Sequence, residues 1–332
     1  MAKLPQTRSK AKASEASRSG GTRAKAKPSG KSAPAKAGRR STSNEIELEG
    51  VRLSSPEKVL WEEQGLTKRQ LAEYYLDIAD WVLPHVVGRP LSLVRCPSGA
   101  EKGCFFQKHP WAGLDANIAR GTVATDTGEQ EVVLVRDIRG VIGLVQAGVL
   151  EIHPWGATMA EIDRPDRVVF DFDPGEGVPW SQVVASACEL RHRLEALGLE
   201  SFLKTTGGKG LHVVVPLAPQ AGWPKVKAFA RNLAEAMEAD SPDRYLTKAA
   251  KAEREGRVFI DYLRNARGAT AIAAYSPRAR AGAPVSTPLA WDEIRGATAS
   301  DQYTVETVPA RLRALGEDPW RGFDKLRQML PE

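Results

Sequence analysis

The sequence has no run of about 18 apolar residues, and no apolar segment follows the basic residues near its start. Neither a membrane anchor nor a signal peptide is expected, and the protein is expected to stay inside the cell. Cysteine is scarce. Cys96, Cys104 and Cys188 are the only three, which fits free thiols in a reducing compartment better than a disulfide framework. A zinc site made from Cys96, Cys104 and His109 would lack the close-paired spacing such sites use. Aromatic residues are absent from residues 1–44, where 12 Lys or Arg face the single acid Glu15. That composition cannot bury enough apolar surface to offset its ordering entropy, so a disordered basic tail is expected there.

Removing the tail changes the meaning of the charge. The whole chain carries +6, but residues 45–332 hold 35 basic against 40 acidic residues, a net of −5. Any binding of nucleic acid by the folded part must therefore come from locally placed cations, with the tail adding a diffuse, salt-sensitive attraction to phosphates. The 332 residues, 42% of them hydrophobic, suffice for one large or two small domains, and no internal repeat of fixed period appears.

Thr67 is a good N-cap, and Leu71, Tyr74, Tyr75, Ile78, Trp81 and Val82 follow at helical spacing. The pattern predicts one helix of about 16 residues ended by Pro84. Short β-type runs come next, over Pro90–Arg95, Thr122–Thr125, Glu131–Val135 and Gly143–Ile152, with Phe105 and Phe106 in a loop. From Arg167 a strand–helix rhythm sets in. Strands are predicted over Arg167–Phe172, Phe202–Thr205, Leu211–Leu217 and Val258–Tyr262, and helices over Trp180–Leu197, Pro224–Ala239 and roughly Pro242–Glu255. The expected fold class is α+β, with mixed sheets flanked by helices in two lobes of one unit spanning residues 45–332.

The chemistry concentrates on three of these strands. In Arg167-Val-Val-Phe-Asp-Phe-Asp-Pro174 the alternation of a strand puts Asp171 and Asp173 on one face, roughly 7 Å apart. Two like charges on a water-poor strand need a cation or a proton. Alone, the pair is ambiguous: it recurs in glycosyltransferases, phosphatases, polymerases and capped loops. Asp261, inside Val-Phe-Ile-Asp-Tyr (258–262), adds a third carboxylate. It could pair with Arg257 or Arg264, or join the other two around divalent ions, for which hard oxygen donors favour Mg²⁺ or Mn²⁺. Thr-Gly-Gly-Lys-Gly-Leu-His (206–212) supplies small residues that let backbone N–H groups approach an anion, with Lys209 as a point charge. It is not a Walker loop, because a strand rather than a helix follows. An ordinary glycine hairpin with a core histidine at His212 would look the same.

Taken together, Asp-Phe-Asp-Pro-Gly-Glu-Gly (171–177), the glycine segment 206–212, Val-Phe-Ile-Asp-Tyr (258–262), Gly-Arg-Pro-Leu-Ser-Leu-Val-Arg (88–95) and Phe-Phe-Gln-Lys-His (105–109) resemble the polymerase domain of bacterial DNA ligase D, in the archaeo-eukaryotic primase superfamily. The resemblance runs from about Leu53 to Leu330. It implies a template-dependent nucleotidyltransferase that fills gaps and extends ends in non-homologous end joining, prefers ribonucleotides and manganese, and works in the bacterial nucleoid beside Ku and a DNA ligase. By the same resemblance, Asp171, Asp173 and Asp261 would hold two Mn²⁺ or Mg²⁺ ions. Thr206, Lys209, His212, Arg254 and Arg278 would contact the nucleoside triphosphate, with His153 near its sugar. Lys58 and Lys68 would grip the 5′-phosphate of a DNA end, and Phe105 with Phe106 would stack on template bases. Ser55 departs from the family, which often carries Asn there. No ligase or nuclease segment is visible, so a free-standing version is expected. The competing readings are a primase that starts strands de novo and a non-catalytic module that bridges DNA ends.

Overall fold

A computed structural model describes residues 44–250 and 253–331. The expected tail therefore lies, up to residue 43, outside the described residues. The chain opens with two short hairpins, β1 (Glu45–Leu48) with β2 (Val51–Ser54) and β3 (Val59–Trp61) with β4 (Leu66–Thr67). Thr67 then caps a helix as expected: its hydroxyl accepts from Gln70 N, and the Gln70 side chain accepts from Thr67 N at 2.8 Å.

The single helix predicted over this region is in fact two, α1 (Lys68–Asp77) and α2 (Ala79–Val86), broken at Ile78. Pro84 lies inside the second and does not end it. A five-stranded sheet follows, built from β5 (Leu91–Arg95), β6 (Phe105–Gln107), β7 (Ala119–Thr125), β8 (Gly128–Leu134) and β9 (Val149–Pro154). Phe105 and Phe106 are thus strand residues rather than loop residues. The run from Gly143 to Ile152 divides between helix α3 (Ile138–Gln146), capped by the Asp137 carboxylate on Gly140 N, and β9. A continuous apolar run does not distinguish a buried helix from a strand. Gly140 and Gly143 let α3 pack closely, since a Cβ on either would press on Val135 or Ile118 at 3.1 Å.

The second sheet has six strands in the order β13-β14-β10-β12-β11-β15. They are β10 (Arg167–Pro174), β11 (Phe202–Thr205), β12 (Leu211–Pro216), β13 (Tyr245–Leu246), β14 (Val258–Asp261) and β15 (Pro288–Leu289). Helices α4 (Trp180–Ala196) and α5 (Trp223–Asp240) occur where the periodicity predicts them, and α6 (Val308–Ala314) comes near the end. The helix expected over Pro242–Glu255 is absent among the described residues; Tyr245 and Leu246 instead pair in parallel with Val258 and Phe259 and are fully buried. Burial of the Tyr245 ring outweighs local helix preference here. All other pairings in this sheet are antiparallel, so the expectation of an α+β fold with mixed sheets flanked by helices is borne out.

Each sheet contributes to its own core. Val168, Phe170 and Phe172 of β10 pack with Val183, Leu190 and Val226 from α4 and α5, while Val169 joins the other core with Phe202 and Tyr275. Both faces of β10 are thus buried along most of its length, and its polar end, with Asp171 and Asp173, opens into a cleft.

Candidate active site

The registers of the six-stranded sheet align four titratable residues across four neighbouring strands. Asp261 is opposite Asp171, Asp171 is opposite His212, and His212 is opposite Lys204. Asp173 lies two residues further along the same face of β10. The three predicted carboxylates therefore share one face of the sheet, and Asp171 and Asp173 line the cleft beside it. Arg264 lies between two of them, with Nη2 3.0 Å from Asp261 Oδ2 and 3.3 Å from Asp171 Oδ2. Arg254 donates from Nη1 to Asp173 Oδ2 at 2.7 Å. Of the two arginines offered as partners for Asp261, Arg264 is the one in contact.

Burial and mutual repulsion leave this cluster short of positive charge. Burial pushes the Asp261 carboxyl up, and the Asp171 charge adds to that against the pull of Arg264. Asp173 is also raised, first by burial and then by Asp171. Asp171 is pushed up by burial too, but its contacts with His212 and Arg264 hold it well below the usual carboxylate range. His212, with Nε2 3.3 Å from Asp171 Oδ1, is lowered to about 4 by burial and by Lys204. Among the described residues no three His, Cys, Asp or Glu side chains form a ready-made metal cage. Three carboxylates on one face, two of them raised by burial and by the Asp171 charge, are nevertheless a hard-oxygen donor set that fits a divalent cation.

The glycine segment turns between β11 and β12 beside these acids. Gly207 has φ +64, and a Cβ on Gly210 would fall 2.0 Å from Phe172 O, so β10 could not pass so closely beneath any other residue. Thr206 organises the turn: its hydroxyl accepts from Gly208 N at 3.3 Å and Gly210 N at 3.2 Å. Two N–H groups expected to face an anion are thus already engaged. Arg278 Nη1 donates to Thr206 O at 2.9 Å. A cleft of about 310 Å³ collects Asp171, Asp173, Thr206, Lys209, His212, Arg278, His153 and Phe106. It also takes in Arg264 and Arg280, to which the sequence motifs assigned no ligand. Their only sequence signals are their spacings, three residues beyond Asp261 and two beyond Arg278.

The predicted DNA-side residues lie elsewhere. Lys68 is 7% exposed and donates to Ser54 O at 2.8 Å and Gln146 Oε1 at 3.3 Å. Burial first, then the Lys58 charge, lowers its pKa. Lys58 in turn donates to Pro97 O. Both ammonium groups are satisfied by neutral acceptors, which leaves their charge available to an anion. Ser55, three residues before Lys58, has φ +50, a left-handed conformation that Asn tolerates better than Ser. Phe105 and Phe106 are 45% and 66% exposed, but strand alternation sends them to opposite sides of β6. Arg95 lies over the Phe105 ring at 5.5 Å, while Phe106 meets the His153 ring edgewise at 6.0 Å. Only Phe106 borders the cleft.

The cysteine expectation is overturned. Cys96 and Cys104 form a disulfide, because Cys96 follows Arg95 and Cys104 precedes Phe105, and that register pair brings their Cα atoms to 4.3 Å. Cys188 is the free thiol.

Residues 67–320 match the family model for the LigD primase-polymerase domain. The chain belongs to this family. The LigD-type domain is 38% identical over 282 residues to the multifunctional non-homologous end joining protein LigD of Pseudomonas aeruginosa, covering 85% of this chain and 34% of that protein. It is 28% identical over 268 residues to the bifunctional LigD of Bacillus subtilis, covering 80% and 43%. The chain thus spans less than half the length of these relatives. The polymerase domain of Mycobacterium tuberculosis ligase D, solved in complex with DNA, superposes with a TM-score of 0.76 at 30% identity, covering 82% of this chain and 98% of that one. The LigD-type domain is therefore an enzyme of the polymerase, or nucleotidyltransferase, class, as the motifs lead one to expect. Among the described residues no helix is long and apolar enough to cross a membrane.

Proposed function

We propose that this domain extends primer strands and fills gaps at broken DNA ends by template-dependent nucleotidyl transfer. The observation that carries the reading is the register Asp261–Asp171 with Asp173 on the same face, beside a glycine turn and a set of cations. Asp171, Asp173 and Asp261 would hold two divalent ions. When bound, such ions neutralise developing charge and make a 3′-hydroxyl easier to deprotonate.

The chain's own residues position and neutralise the nucleotide. Lys209, Arg278 and Arg280 converge on the cleft with no carboxylate of their own apart from Glu151 on Arg278, which suits a triphosphate. His212 keeps Asp171 ionised and oriented from behind. His153 and Phe106 wall the side where a sugar and a template base would lie. Thr206 maintains the turn, and its hydroxyl would reach an anion only by giving up its bonds to Gly210 O and Ser300. Arg264, which lines the cleft, and Arg254, which reaches it through Asp173, would turn to phosphate once those acids have other partners. Lys58 and Lys68 form a second anion site suited to the 5′-phosphate of a downstream strand. Ku and a DNA ligase are the partners that the resemblance to the ligase D polymerase domain implies.

Extension of a gapped, 5′-phosphorylated duplex with ribo- and deoxyribonucleotides, each with Mg²⁺ and with Mn²⁺, tests the proposal. Incorporation of template-directed nucleotides supports it, most strongly with Mn²⁺ and ribonucleotides. DNA binding without incorporation under all four conditions would leave an end-bridging module, and synthesis on a primer-free template would indicate a primase.

A further inference from the structure

Strand β9 carries a carboxylate that the chemistry above leaves unassigned. Leu150 and Ile152 point into the core, so Glu151 and His153 share the opposite face. Glu151 is only 6% exposed, and both its oxygens are engaged. Oε2 lies 2.8 Å from His153 Nε2 and 3.1 Å from Arg278 Nε, while Oε1 accepts from Ala279 N at 2.9 Å. The contact to Arg278 Nε is an ion pair rather than an aligned hydrogen bond. Arg278 extends the chain of contacts to Thr206 O in the glycine turn.

We propose that Glu151 is a positioning residue that couples the imidazole at the sugar side of the nucleotide site to the guanidinium at its phosphate side. This rests on the nucleotidyl-transfer reading. With Nε2 committed to the carboxylate, Nδ1 is the His153 nitrogen left for a ligand. Arg278, clamped between Glu151 and the glycine turn, keeps its remaining donors for phosphate without first losing side-chain freedom. A carboxylate this deeply buried is costly unless fully paired, and a buried ion pair is poor evidence of stabilisation, so its worth here lies in fixing geometry. Burial would raise the Glu151 carboxyl, yet His153 and Arg278 bring it down to about 2, so it stays charged across the neutral range.

The test combines steady-state extension of a gapped duplex, using ATP and Mn²⁺, with calorimetric ATP binding. Glu151→Gln keeps the shape but removes the charge, and KM for ATP should rise about tenfold or more while kcat and DNA affinity change little. Glu151→Asp, charged but too short to reach both partners, should fall between, and serves if the Gln variant does not fold. Adding Glu151→Gln to His153→Ala should cost less than adding it to the unmutated protein. Equal ATP affinity with and without the Glu151 charge overturns the proposal. So does a variant whose losses appear only in melting temperature and kcat and add fully to those of His153→Ala. If the unmutated protein binds ATP in a Glu151-dependent way yet extends nothing, the polymerase reading fails and the positioning role stands.

Discussion

Asp261 pairs in register with Asp171 and shares Arg264 with it, so its removal takes away one of the three charges that would hold the proposed ions. Asp261→Ala is expected to lower primer extension by at least about a hundredfold, while a gel-shift assay shows DNA affinity retained. Ser55 pays for a left-handed backbone at φ +50, and Ser55→Asn should raise stability by a few tenths to about 1 kcal/mol in urea denaturation. His85 sets a pH dependence. It is buried against Trp320 at 5.3 Å and Phe323 at 6.0 Å, and burial, with the Arg167, Arg89 and Lys204 charges, lowers its pKa to about 3. Its folded pKa thus lies below its unfolded value of about 6.5. The unfolded chain binds the proton first, so this contribution to stability is complete above about pH 6.5 and is lost as pH falls toward 3, by at most about 1.4 kcal/mol per pH unit. Urea midpoints at pH 7.5 and 5 should show the loss, and His85→Leu should flatten it.

Among the elements, the glycines reveal where the backbone must pass close to itself. A Cβ on Gly175 would lie 1.7 Å from Arg254 O, and Gly175 N donates to Arg257 O at 2.9 Å. This close approach keeps the segment 254–257 against the end of β10 and delivers Arg254 to Asp173. Gly175→Ala should therefore destabilise by about 2 kcal/mol or more, read from denaturation, and should reduce extension even where the variant folds. Strands with apolar faces were legible in the sequence because alternation and turn residues agree over β10, β11, β12 and β14. The helix α3 was not, because its apolar run and two glycines read equally as a strand. The 242–255 segment reads as helix in the sequence because its strand pairing depends on β14, 13 positions away in the parallel register Tyr245–Val258. Glu151 went unassigned because Arg278 and Ala279, which complete its pairing, come from a distant segment.

For the whole molecule, the basic segment and the acidic remainder make separate contributions. Residues 1–44 carry 12 of the 47 Lys and Arg residues, so deleting residues 1–43 should weaken binding to duplex DNA and reduce the slope of log affinity against log salt. Fluorescence anisotropy at several salt concentrations measures this, and an unchanged slope would separate the tail from DNA.

The fold class and the shared face of Asp171 and Asp173 were readable from local order, since strand alternation dictates which side chains share a face, and the family from the resemblance carried by its joined motifs. Tertiary structure alone decided the rest: which arginine meets which acid, that Phe105 and Phe106 diverge, that Cys96 meets Cys104, and that Glu151 joins His153 to Arg278. Those pairings depend on sheet register and on loops, which bring Arg264 to 3.3 Å from Asp171 and Arg278 to 3.1 Å from Glu151. A linear sequence specifies register only through the sum of its packing.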